Sequence, residues 1–80
     1  MEDDTQVALA VGKLILDERK RSGMTRADLA RAIQTDPAQL SRWEHGHVLP
    51  RVTSLLAIAR VLKCPTAALV PHVGFLDRPF

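Results

Sequence analysis

Eighty residues with 46% hydrophobic content, few aromatics and a formal net charge of +2 suffice for one domain around one small aliphatic core, and no composition break suggests a second. The lone Cys64 excludes an internal disulfide, and the opening MEDDT is acidic where a secretory leader is basic. No apolar run approaches the roughly 20 residues that span a bilayer, so a cytoplasmic location is the expectation.

Charge is unevenly spread along the chain. Residues 1–18 hold Glu2, Asp3, Asp4, Asp17 and Glu18 against Lys13, a net −4, whereas residues 19–63 hold nine bases against Asp28, Asp36 and Glu44, a net +6. A basic middle fits a polyanionic partner, and solvated helix faces alone also produce such counts.

The first predicted helix covers about residues 5–22, with Val7, Val11, Leu14, Ile15 and the stem of Glu18 at the three-and-four spacing of a buried stripe. Arg19, Lys20 and Arg21 close it, as the helix dipole favours, and Gly23 ends it. A second, short helix opens with Thr25 as N-cap and Asp28 three residues on, the spacing of a capping box, while Met24 is placed to staple onto Leu29. Leu29, Ala30 and Ile33 then face inward, with Arg26, Ala27 and Arg31 outward. The third helix opens with Asp36 as N-cap and Pro37 at the first helical position. Leu40 and Trp43 are its inward pair, leaving Ala38, Gln39, Ser41 and Arg42 on the other side.

Two short, separately capped helices joined by a tight turn across residues 25–44 form the pattern of a DNA-reading helix-turn-helix. An amide and a guanidinium on the outer face of the second are suited to base edges.

Residues 45–50 read as a loop, with Gly46 the natural helix stop and Pro50 unable to continue one. A fourth helix over about residues 52–63 carries Val52, Leu55, Leu56, Ala59 and Leu62 as its expected apolar stripe. Cys64-Pro65 breaks it, residues 66–70 allow one more short helical turn, and residues 71–80 are a tail bearing Val73, Phe75, Leu76 and Phe80. The expected organisation is an all-α, four-to-five-helix bundle with a DNA-binding domain over residues 1–70 and an apolar C-terminal tail over residues 71–80.

Over residues 11–70 the chain resembles the lambdoid phage repressor and Cro superfamily, the XRE family. The resemblance rests on Gly12, Ile15 and Arg19, on Gly23-Met24-Thr25, on Leu29-Ala30 and Ile33, and on Leu40-Ser41-Arg42. It continues through Glu44, Gly46, Pro50, Leu55-Leu56, Ala59, Leu62 and Leu69. It implies a lambda repressor-like fold in which the motif's second helix lies in the major groove of double-stranded DNA and the first crosses the phosphate backbone. By position, Gln39 and Arg42, with Ala38 beside them, would face bases. Arg26, with Thr25 at the same helix end, would contact phosphate, and Ser41, His45, His47 and Arg51 are further phosphate candidates. The resemblance also implies a salt bridge between Arg19 and Glu44 that fixes the recognition helix, against which stands an ordinary surface ion pair worth roughly 0–1 kcal/mol.

Three positions depart from the family pattern. Gln34 stands where the turn usually has Gly, so it must visit a left-handed conformation at about 1–2 kcal/mol or alter the turn. Pro37 replaces a polar side chain that many relatives offer to the first base. Asp36 brings a carboxylate toward the phosphates and is tolerable if its capping bond holds it back or if it accepts from a cytosine amine.

Several residues keep two readings. Gln39 stands three residues after Asp36 and fits either base contact or a capping box on its own helix. His45 and His47 flank Gly46 and suit phosphate or solvent contact better than a metal, for which no matching thiolate or carboxylate spacing exists. Trp43 suits core packing better than base stacking. The tail either folds back on its own core or forms a dimer interface.

The functional expectation is a sequence-specific transcriptional regulator, a repressor binding a pseudo-palindromic operator as a homodimer. The alternative is an antitoxin or adaptor module acting chiefly through its tail on a protein partner. No nucleophile-and-base set, phosphate-cradling loop or metal cluster supports an enzyme, and no cofactor is expected.

Overall fold

The computed structural model describes residues 4–71. Helices α1 (Asp4–Arg21), α2 (Arg26–Ala32), α3 (Pro37–Glu44) and α4 (Val52–Leu62) are followed by a 3-10 turn at Thr66–Leu69, so the described residues form an all-α bundle. α1 is its spine: it packs on α3, on α4 and on the 3-10 turn, while α2 packs on α3 and α4. The expected tail interface lies outside the described residues.

The start of each central helix follows from its cap. Thr25 Oγ1 accepts the Asp28 backbone N–H at 3.0 Å, and Asp36 Oδ1 accepts that of Gln39 at 2.8 Å, each satisfying a donor that the first turn leaves orphaned. The Asp28 carboxylate turns instead to Arg31, 3.4 Å away.

All four α-helices stop in the same way. Residues Gly23, Gln34, Gly46 and Lys63 have positive φ, at 75°, 62°, 75° and 58°. Each donates its backbone N–H three residues back, and the next residue donates five residues back, as in Thr35 to the Ala30 carbonyl at 2.9 Å and His47 to that of Arg42 at 2.9 Å. These are Schellman caps, in which a left-handed residue lets two backbone N–H groups satisfy the last carbonyls. The departure at Gln34 is therefore resolved by adopting the left-handed conformation, with the turn geometry kept.

Two glycines bring α1 against the end of α3 at backbone distance. A Cβ on Gly12 would overlap the Trp43 carbonyl oxygen and lie 2.8 Å from that of Glu44, and one on Gly46 would lie 2.7 Å from Leu9 Cα. Glycine at both positions is thus a requirement of close approach. Around this joint the core gathers Val11, Ile15, Leu29, Ala30, Leu40, Trp43, Leu55, Ile58, Ala59, Leu62 and Leu69, with Val7, Met24 and Ile33 packed at its edge.

The stripe expected on α4 is rotated from the one that forms. Val52 and Leu56 are exposed, at 68% and 47%, whereas Ile58 is fully buried with Leu55, Ala59 and Leu62. The helix reads VTSLLAIARVL and is apolar on more than one face, so periodicity admits two phases and packing against α1 and α2 selects one. On α1 the inward positions include Ala8 and Gly12 as well as Val11 and Ile15, while Leu14 stays only half-buried. At Gly12 the close approach makes small size, and not bulk, the requirement, which an apolar stripe does not report. Partial burial pushes the Cys64 thiol above its usual pKa, with Glu18 adding to the shift and Arg21 opposing it, so this side chain stays a protonated packing group.

Gln34→Gly removes the Cβ penalty of the left-handed cap, and since Gln34 is exposed nothing is lost in packing. The variant is expected to gain up to about 1 kcal/mol, the penalty being partly offset by glycine's unfolded-state entropy. Urea unfolding checks this, and a loss of stability would show that Gln34 contributes a contact of its own.

Candidate nucleic-acid interface

The centre of the motif is a buried ion cluster. Arg19 of α1 approaches Glu44 bidentately, Nε donating to Oε2 at 2.6 Å and Nη2 to Oε1 at 3.2 Å. Its Nη1 donates to the Met24 carbonyl at 3.0 Å. Arg26, from the first turn of α2, donates through Nε to the same Glu44 Oε1 at 3.0 Å. The Glu44 side chain is 1% exposed and that of Arg19 10%. No buried side-chain polar atom among the described residues lacks a partner, so the desolvated charges are matched by a complete set of hydrogen bonds, the condition under which burial of an ion pair is tolerated. The Arg19 and Glu44 pair is consequently not a solvated surface contact.

Arg26 sits differently from the outward position its helical phase suggests. It leans onto Glu44 with its side chain 38% exposed, Nε engaged and the guanidinium edge toward solvent. Ala27 and Arg31, its expected companions, are exposed. Nothing in the local spacing of Arg26 announces Glu44 as its partner, because the contact closes only when α2 packs beside the end of α3.

Along the outer face of α3, Ala38 and Arg42 are exposed and Gln39 and Ser41 half-buried. Arg42 Nε donates to Gln39 Oε1 at 3.0 Å, joining the two candidate base-reading side chains. Asp36 keeps its carboxylate on its own helix as the cap, and the Gln39 carbonyl is taken by Arg42, so Gln39 enters the capping through its backbone N–H. At the C-terminal end, His45 Nδ1 donates to the Ser41 carbonyl at 2.8 Å and lies 3.2 Å from Ser41 Oγ, which places the proton on Nδ1. The His45 and His47 rings are 6.0 Å apart, and no group of three or more His, Cys, Asp or Glu side chains able to hold a metal occurs among the described residues. Trp43 is 5% exposed, packed in the core and out of reach of a base.

Gln39 and Arg51 line one open groove with Gln34, Thr35 and Trp43, between the motif's turn and the first turn of α4. Thr25, whose hydroxyl caps α2, is exposed, as are His45, His47 and Arg51. The interface thus brings together Gln39 with Arg42, Ser41 with His45 and Gln39 with Arg51, while Thr25 and Arg26 stand at the start of α2.

Comparison with known proteins places this architecture. A family model described as helix-turn-helix matches residues 15–69. The chain belongs to the XRE-type helix-turn-helix family. This helix-turn-helix chain is 34% identical over 56 residues to the HTH-type transcriptional regulator DicA of Escherichia coli K12, a match covering 70% of the chain and 42% of DicA. Among solved structures it resembles the clp gene regulator ClgR from C. glutamicum, with TM-score 0.74 and 26% identity over 78% of this chain and 80% of that one. It also resembles hydroxypropylphosphonic acid epoxidase from S. wedmorenis, with TM-score 0.77 and 29% identity over 84% of this chain and 36% of the epoxidase. The helix-turn-helix chain therefore spans less than half the length of DicA and of the epoxidase. No described helix is long and apolar enough to cross a membrane.

Glu44→Ala strands the buried Arg19 guanidinium and frees Arg26, so it is expected to cost about 3–5 kcal/mol. Thermal and urea unfolding read this directly, and a loss below about 1 kcal/mol would place the pair among ordinary surface ion pairs.

Proposed function

We propose that this chain is a sequence-specific, DNA-binding transcriptional regulator, a repressor that occupies a pseudo-palindromic operator as a homodimer. The observation that carries this reading is α3 itself. It is a short helix capped at Asp36, anchored from behind through Glu44, and turned outward with an amide and a guanidinium over a nearly featureless Ala38. Such a helix fits the major groove, where Ala38, Gln39 and Arg42 face base edges. Thr25, Arg26, Ser41, His45, His47 and Arg51 hold the flanking phosphates and fix register without reading sequence.

The names of DicA and ClgR, both regulators, support this reading. The epoxidase does not oppose it, since the likeness reaches only about a third of that enzyme's chain. The module is read as non-catalytic, with no cofactor and no membrane contact.

Dimerisation is supported by what α4 leaves uncovered. Val52 and Leu56, four residues apart on one face of α4, are exposed, an apolar strip that a second copy would cover. One module covers one half-site, and two copies with recognition helices roughly 10 base pairs apart supply both affinity and selectivity.

Two outcomes check these roles. Arg42→Ala is expected to relax preference at one base pair per half-site, whereas Arg26→Ala weakens all sequences alike and lowers the salt slope by about one. Fluorescence anisotropy with operator and scrambled duplexes across a salt series separates them, and an Arg42→Ala variant with unchanged preference defeats the assignment. Leu56→Glu is expected to shift the mass in sedimentation equilibrium from dimer to monomer with the helical circular dichroism retained. A dimer that persists moves the interface elsewhere.

A further inference from the structure

The bond from Arg42 Nε to Gln39 Oε1 at 3.0 Å changes what α3 can say to a base pair. We infer that Gln39 and Arg42 read DNA as one unit that selects guanine, with Gln39 acting as a positioning residue for Arg42 and not as an adenine reader. The inference rests on the placement of α3 in the major groove.

Its ground is a count of donors and acceptors. A guanidinium carries five N–H donors. With Nε committed to Gln39, the Nη1 and Nη2 donors remain at the far end, held at a fixed angle to the helix. A glutamine reads adenine bidentately only by offering Oε1 to the N6 amine and Nε2 to N7. Here Oε1 faces a cation on its own helix, three residues on, and the amide is left with its two N–H donors outward. The Asp36 carboxylate, also at this end of α3, turns Oδ1 to the Gln39 backbone N–H at 2.8 Å. What the Gln39 and Arg42 side chains themselves turn outward is therefore dominated by donors.

Guanine matches such a surface best. It presents two acceptors, N7 and O6, side by side in the major groove, whereas adenine and cytosine each present a donor amine, and thymine a single acceptor beside a methyl group. The paired Nη groups of Arg42 engage N7 and O6 end-on. Holding Arg42 by its Nε reduces the freedom that a long side chain must give up on docking, so the positioning role of Gln39 acts on the guanine preference of Arg42.

Selection from a random duplex library at one fixed salt concentration tests the inference with the wild-type chain and with Gln39→Ala, Gln39→Glu and Arg42→Ala. Circular dichroism melts of all four should coincide, since neither side chain belongs to the core. The wild type is expected to enrich guanine at one position of each half-site, and Arg42→Ala to lose that preference by about tenfold or more. Gln39→Ala should weaken the preference at that same guanine by about one-and-a-half- to twofold, the size of a lost i,i+3 pair. Gln39→Glu, which keeps the acceptor for Arg42, should retain it. An adenine that the wild type enriches and Gln39→Ala alone abolishes, with the guanine untouched, would overturn the unit and leave the regulator standing. Failure of the wild type to enrich any sequence would instead remove the major-groove placement, and the unit with it.

Discussion

The carboxylate of Glu44 is the constraint from which the motif is hung. It closes the last turn of α3 and receives Arg19 from α1 and Arg26 from α2, so a single group fixes the mutual placement of three helices. A methyl-filled contact of equal volume would be at least as stabilising, because burying two charges has a large desolvation cost. What the ions add is direction: a bidentate fork fits a carboxylate in one orientation, which keeps α3 from rolling against α1 and α2. Gly12 and Gly46 serve the same end by letting the backbones of α1 and the end of α3 approach until nothing else fits between them.

The motif therefore has a rigid back and a chemically simple front. Behind α3 the polar atoms are all partnered and Leu40 and Trp43 are packed. In front stand Ala38, Gln39 and Arg42, with Pro37 opening the helix and offering the first base no hydrogen-bond donor. In the proposed complex, affinity for a polyanion would come from the surrounding bases and discrimination from these few groups. That division makes the orientation of each of those groups count for more than it would on a longer, more polar reading surface.

How much of this was legible in the residues depends on whether the deciding signal is local. The caps at Thr25 and Asp36, Pro37 at N1 and the stops at Gly23 and Gly46 lie within a few residues of what they control, and each element begins and ends within a residue or two of its expected place. The 3-10 turn at Thr66–Leu69 follows the Cys64-Pro65 break in the same way. The inward face of α4 is not legible locally, because Val52, Leu56 and Ile58 are equally apolar and only the opposing helices choose among them. Arg26 departs from the direction its helical phase suggests for a related reason: its partner is 18 residues away and no periodicity reports it. The Gln39 and Arg42 pair has the spacing of an i,i+3 contact, but that spacing competes with the capping box that Asp36 offers Gln39.

The four matching helix stops bear on how the chain reaches this state. Each boundary is decided inside a window of about six residues, by a left-handed residue and two backbone hydrogen bonds, so helix ends need no tertiary partner to be specified. What remains is to seat α1 on the end of α3 and draw Arg19 to Glu44 across 25 residues. Helical bundles dominated by such near-sequence contacts fold in microseconds to milliseconds. A chain built this way spends little time with its core and its unpaired buried charges open to the surroundings.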